Sequence, residues 1–221
     1  MIRRGTRVVG GEALVVFASA TLAAAWMSWS ELPGRSGLIP LTWVLASWLP
    51  MARGGSPAVD LGLARSSLLR GLKYFVVSTA ILLPLGVVAF ALYLSTGLPM
   101  PAPEPLPDVT FGEWTLYQIA IVAPAEELFF RGYLQGRLEQ LGGRARLREA
   151  AAFWLPIAGS ALFFGLAHVA VTRELEGFGV VLPGLLFAWL RARSGSLVAP
   201  MLSHGTANVV TRLLLLHAGA R

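Results

Sequence analysis

The stretch from Trp114 to Leu134 reads WTLYQIAIVAPAEELFFRGYL, an apolar run that nevertheless carries two adjacent carboxylates, Glu126 and Glu127, and an arginine, Arg131. A bilayer core of about 30 Å is crossed by about 20 apolar residues of helix, and this run has that length. Ionisable side chains at membrane depth cost a few kcal/mol or more, so each needs a partner or a purpose. The glutamates lie about 12 residues into the run, hence about 18 Å deep at 1.5 Å per residue. Arg131 follows Glu127 by four residues, the spacing that pairs a carboxylate and a guanidinium on one helix face. Glu126 points about 100° away from Glu127 and is freer to face a cavity. Two adjacent acids can thus take different roles, one as a base and one as a structural anchor.

Outward from this run the chain repeats the pattern. Its 221 residues are 55% hydrophobic and 14% charged, far from the balance of a soluble domain. About seven candidate spans result, at roughly Ala13 to Trp29, Leu38 to Met51, Tyr74 to Ser95, Trp114 to Leu134, Ala150 to Val171, Phe178 to Leu190 and Leu197 to Leu216. The expected fold is an all-α polytopic membrane helix bundle. The second and sixth spans are short enough to be tilted, interfacial or buried in the bundle. Pro40, Pro84, Pro124, Pro156, Pro183 and Pro200 fall in or beside spans and predict kinks. The organisation expected is N-terminal helices over 1–98, a Pro-rich loop over 99–113, and a C-terminal four-helix core over 114–221, in one integrated membrane domain.

Charge in the loops orients the bundle. Of 18 basic residues only Lys73 is lysine, a bias that points to a GC-rich, bacterial genome. The basic residues sit in short clusters between apolar runs, as cytoplasmic loops do, which sets nucleic acid aside and makes the lipid bilayer the partner. Arg3, Arg4, Arg7, Arg53, Arg65, Arg70, Lys73, Arg137, Arg144, Arg146, Arg148, Arg191 and Arg193 fall on one side of the alternation. Arg35, Arg173 and Arg221 fall on the other. The expectation is a multi-pass protein of the cell (inner) membrane with its N-terminus in the cytoplasm. The N-terminal charge order resembles that of a signal peptide, but no small-residue cleavage site is evident before Trp29, and the run reads as a retained span. There is no cysteine, which excludes disulfides, thiolate metal sites and a cysteine nucleophile.

Two further spans carry polar groups at helical spacing. His168 follows Phe164 by four residues in ALFFGLAHVAVT, and Asn208 follows His204 by four in APMLSHGTANVV. The second pair presents an imidazole and an amide on one face, a suitable arrangement for stabilising an oxyanion. His217 has no spaced polar companion. Each group alone fits a duller account: a buried salt bridge, a proton relay, interhelical hydrogen bonds, or an interfacial histidine. Together they supply a carboxylate base, imidazoles and oxyanion donors, the components of water-mediated amide hydrolysis. No spacing singles out Ser203 or Thr206 as a nucleophile. A zinc hydrolase is the nearest rival, without the paired histidines of one helix turn that zinc proteases use. A non-catalytic immunity or transport protein is the rival from a different class.

These residues resemble the CAAX prenyl protease and bacteriocin-processing family of intramembrane glutamic proteases. Its motifs are matched in order: EExxxR as Glu126, Glu127 and Arg131, FxxxH as Phe164 and His168, and HxxxN as His204 and Asn208. Phe130, Arg131 and Gly132 resemble the family's FRG, and DLGLARSSLLRGLKYF from Asp60 to Phe75 is more weakly similar. The resemblance implies catalytic roles for Glu126, His168, His204 and Asn208, with Glu127, Arg131 and Phe164 supporting the site. Glu126 would activate water, His168 position or polarise it, and His204 with Asn208 stabilise the oxyanion. It implies no cofactor, and a membrane-anchored protein or peptide as substrate: a prenylated tail, a peptide precursor or a bacterial C-terminal sorting tail.

Overall fold

The computed structural model describes residues 2–30, 32–54, 65–97, 109–145 and 147–219. Among them the chain is a bundle of seven helices without strands. They are α1 (Ile2–Trp29), α2 (Arg35–Gly54), α3 (Arg65–Ser95), α4 (residues 111–144), α5 (Glu149–Thr172), α6 (Val181–Ser194) and α7 (Val198–Gly219). Among the described residues, four spans are by length and composition apolar enough to cross a membrane: Val9–Trp29, Ser67–Ser95, Glu149–Thr172 and Leu175–Ser194. The fold expected from the sequence is the fold observed, a helical membrane bundle. The Pro-rich segment 98–108 and the loop at 55–64 lie outside the described residues.

The short sixth span gains its length from a 3-10 turn, Leu175–Val180, that leads directly into α6. Pro84 and Pro156 lie inside α3 and α5 without ending them. Helix α4 is a continuous rod of five pieces in which two π-helical stretches, Gln118–Val122 and Leu128–Leu134, bracket the short α segment Ala123–Glu127. In the first, the N–H of Ala123 reaches back five residues to the carbonyl of Gln118. Pro124 follows directly and has no N–H to offer the carbonyl of Ala120, so the regular ladder is already broken there. Such π turns within helices concentrate at functional sites.

The core forms where α4 passes between its neighbours. Phe129 and Phe130 are buried against Trp43 of α2 at ring distances of 5.0 and 5.3 Å, and Phe130 meets Phe164 of α5 edge-on at 4.9 Å. Ala13, Ala20 and Ala24 bury the inner face of α1, small residues that let helix backbones approach where water supplies no driving force. Two buried polar side chains bond to carbonyls of neighbouring helices: Ser160 Oγ donates to Phe130 O at 2.9 Å and Gln135 Nε2 to Ala188 O at 3.2 Å. Helix α3 is the exception, exposing most of its apolar surface and touching mainly α6 and α7. At its start, a Cβ on Gly71 would lie 2.6 Å from Ser196 Oγ, so only glycine fits that crossing.

The α6–α7 turn sets the register of the last helix. Gly195 closes α6 at φ +64, a left-handed conformation natural to glycine. Ser194 Oγ donates to Leu190 O at 2.6 Å and accepts from the Ser196 amide at 3.1 Å, so the buried turn leaves these groups satisfied.

Candidate active site

The α segment Ala123–Glu127 presents its two glutamates in opposite circumstances. The Glu127 side chain is fully buried, and its Oε1 accepts from Arg131 Nη1 at 2.9 Å. Arg131 also donates through Nη2 to the carbonyl of Gly184 on α6 at 3.1 Å, and its guanidinium lies 4.4 Å from the centre of the Phe164 ring. Carboxylate, carbonyl and aromatic face together compensate the cation through Nη1, Nη2 and its ring contact, while its buried Nε has no hydrogen-bond partner. Gly184 permits this: a Cβ there would sit 3.2 Å from both Arg131 Nη2 and the Phe164 ring.

The same Glu127 oxygen lies 2.8 Å from Nδ1 of His204, across the gap from α4 to α7. A carboxylate bonded to arginine accepts, so the proton on this contact is carried by His204 Nδ1. That leaves Nε2 of His204 facing Glu126, 3.7 Å from its Oε2. The imidazole is held flat against Phe187, ring centres 5.0 Å apart. Arg131, Glu127, His204 and Glu126 thus form one line of contacts running from the core to the cavity.

Glu126 is the exposed end of that line, at 14% side-chain exposure, and its buried Oε2 has no hydrogen-bond partner. It lines a cavity of about 500 Å³ together with Gln118, His168, His204, Asn208 and Arg212. The two adjacent acids therefore stand in different surroundings, Glu127 bonded to Arg131 and His204 and Glu126 facing open space. His168 Nδ1 lies 3.0 Å from the carbonyl of Phe164, which can only accept, so Nδ1 carries the proton and Nε2 of the neutral ring is an acceptor. Phe164 packs between the cationic and imidazole groups, 4.4 Å from the His168 ring and 5.7 Å from that of His204. Asn208 spends one amide N–H on Gln118 Oε1 at 2.9 Å.

By position along their spans, His168 falls toward one face of the membrane and His204 toward the other, yet the structure puts both on one cavity wall. Gln118, Trp114 and Arg212 are additions that the motif reading passed over. A signal for them was present: Trp114, Gln118, Val122 and Glu126 recur every four residues, as do His204, Asn208 and Arg212, and all line the cavity. In a plain α-helix a stripe of every fourth residue turns by about 40° per step. The wider π turn at Gln118–Val122 reduces that drift and keeps the α4 stripe facing α7. Gly205 lets α7 come close to this stretch, since a Cβ there would lie 3.0 Å from the Ile119 backbone.

Among the described residues no three His, Asp or Glu side chains are grouped as metal ligands. Glu127 and His204 are already committed to each other and to Arg131. A second, apolar recess of about 430 Å³ lies between α3 and α7 and shares Pro183, Phe187, Ala207, Thr211 and Leu215 with the first cavity.

Comparison with known proteins agrees with the motifs. Residues 110–210 match the family model described as Rce1-like, type II CAAX prenyl endopeptidase Rce1-like. No curated protein and no solved structure matches the chain. The matched family indicates a protease, and the matched segment contains α4 from its first turn, the whole of α5 and α6, and α7 past Asn208. Over this segment, which carries all three motifs, the match supports its recognition as a member of the CAAX prenyl protease and bacteriocin-processing family.

Proposed function

We propose that the protein is an intramembrane endopeptidase that hydrolyses a peptide bond in a membrane-tethered protein tail, using water activated by Glu126. The observation that carries this reading is the Glu126 carboxylate. It is buried at Oε2 without a hydrogen-bond partner, it faces the cavity, and a positioned imidazole stands 3.7 Å away. Its neighbour Glu127 is consumed by Arg131 and His204.

In this mechanism Glu126 removes a proton from water and the hydroxide adds to the scissile carbonyl. The proton passes from Glu126 to the departing amine as the C–N bond breaks. The acceptor Nε2 of His168 orients the water. His204, held by its Nδ1–H on the Glu127 carboxylate, turns Nε2 toward the cavity and, with the remaining Asn208 amide proton, stabilises the oxyanion. Glu127 and Arg131 act as positioning residues, since neither faces the cavity. No cofactor enters these steps. The protein would reside in the cell (inner) membrane with its N-terminus in the cytoplasm, and its substrate would be a bacterial C-terminal sorting tail or a CAAX-like tail.

The test is proteolysis of a candidate membrane-tethered tail by purified wild-type protein and by Glu126→Gln, with metal content determined on both samples. The variant is expected to lose about 10²–10⁴-fold in rate, the contribution of a general base. Equal cleavage by both proteins removes Glu126 from the mechanism. Activity that tracks stoichiometric metal and is lost reversibly on chelation replaces it with a metal-dependent one.

A further inference from the structure

The cavity sits at one end of the bundle, and the contacts between helix ends identify which. It is lined by Trp114 near the start of α4, His168 near the end of α5, Pro183 near the start of α6 and Arg212 near the end of α7. Other contacts place the α1 C-terminus and the α2 N-terminus at this same end. Trp29 Nε1 donates to Val171 O at 3.2 Å, and Arg173 lies over the Trp29 ring at 4.0 Å. Tyr117 OH donates to the carbonyl of Ser36, and Arg212 approaches Trp114 at 5.9 Å.

The opposite end is held together by its own contacts. Arg193 lies over Phe153 at 4.8 Å, Arg137 pairs with Glu12 at 3.0 Å, and Gly195 sits beside Arg70. Among the described residues, helix ends alternate between the two faces, as the loop charges require. Lys73, Arg148 and Arg191 join Arg70, Arg137 and Arg193 at the end away from the cavity, whereas the cavity end carries Arg35, Arg173 and Arg212. Positive charge accumulates on the cytoplasmic side of membrane helices.

We infer that the cavity opens on the non-cytoplasmic face, and that its substrates are exported proteins held by an apolar anchor and cut on the side where the exported domain lies. The orientation stands on charge and geometry alone, while the substrate class rests on the proteolytic reading above. A tail made and kept in the cytoplasm would have its scissile bond at the wrong end of the bundle. The apolar recess between α3 and α7, which shares a wall with the cavity, suits the first apolar residues of an anchor arriving from the lipid.

The absence of cysteine from the chain makes the orientation directly measurable. Gly37, in the first turn of α2 at the cavity end, and Gly143, at the far end, are both exposed, and a Cβ at either meets nothing within 4 Å. In intact bacterial cells a membrane-impermeant maleimide is expected to label Gly37→Cys, and to label Gly143→Cys only after permeabilisation. Any other labelling pattern overturns the orientation. Cleavage is then followed with two reporters, one an exported domain followed by an apolar helix and a cytoplasmic arginine cluster, the other its mirror with the domain in the cytoplasm. Wild-type protein is expected to release the first and not the second, and Glu126→Gln to release neither. Release of the cytoplasmic domain overturns the substrate class but keeps the protease. Release of neither, with the expected labelling, overturns the substrate class and counts against proteolysis while leaving the orientation intact.

Discussion

Glu127 and His204 meet across two helices through a 2.8 Å contact that uses the same carboxylate oxygen as Arg131. Removing Glu127 strands a buried guanidinium and frees the imidazole together. Breaking a buried pair by deleting one partner costs about 3–5 kcal/mol. Glu127→Ala is expected to lower the unfolding temperature in detergent sharply, with Arg131→Ala behaving alike. Glu126→Gln, at the cavity wall, is expected to leave stability within about 0.5 kcal/mol while activity is lost. Comparable destabilisation by Glu126→Gln and Glu127→Ala would contradict this division of roles.

Gln118 fixes the amide of Asn208 at 2.9 Å and so decides which way that side chain faces. Gln118→Ala is expected to reduce kcat by about 10-fold with KM little changed, a modest fraction of the effect of losing an oxyanion donor itself. Gln118→Glu retains the accepting oxygen and is expected to recover most of the rate. Equal loss in both variants would mean that Gln118 acts by something other than accepting this bond.

Gly205 tests how closely α7 must approach the first π stretch. A methyl group there meets the Ile119 backbone, which cannot rotate away, so Gly205→Ala is expected to cost about 1–3 kcal/mol and to lower activity with it. Gly86→Ala, on α3 with nothing within 4 Å of its Cβ, is the control and should be neutral or slightly stabilising. Thermal melts of the two variants in one detergent give the comparison.

At the start of α4, Thr110 and Glu113 form a capping box in which the Thr110 amide and hydroxyl donate to Glu113 Oε2 at 2.7 and 2.8 Å. The backbone bond, with the side-chain bond second, holds the Glu113 carboxyl below its ordinary value. A lowered folded value means that the cap is fully formed above the ordinary carboxylate range and is lost as pH falls through the folded one. The protection of the Glu113 amide against hydrogen exchange, taken relative to the intrinsic rate at each pH, should therefore fall on acidification, and Glu113→Gln should abolish that step. A pH-independent protection factor in the wild type would show that the cap does not depend on ionisation.

Much of the architecture was legible because apolar runs report helices through their lengths, without needing atomic contacts. The boundaries were less so. Helix α4 runs on through GRLEQLGGR to Arg144, past the apolar run, because α1 and α5 pack against that extension. The line from Arg131 through Glu127 was readable from four-residue spacing within one helix. Its continuation to His204 was not, since that contact depends on the depth at which the α6–α7 turn sets α7. Nor was the partnership of Asn208 with Gln118, because periodicity read at 3.6 residues per turn carries no sign of a π stretch.

Those π stretches have a consequence for how this protein can vary. A π turn holds roughly one residue more than the α turn it replaces, so α4 contains slack that can be lost without breaking the helix. Deleting a single residue from Gln118–Val122 would let the segment relax to regular winding and swing everything ahead of Glu126, Trp114 included, by about 100°. No cavity side chain need be altered, and the hydrophobic content of the span would hardly change. The number of residues ahead of the glutamates is therefore as much a functional trait as their identity, and insertions or deletions there are silent to hydropathy but not to the site.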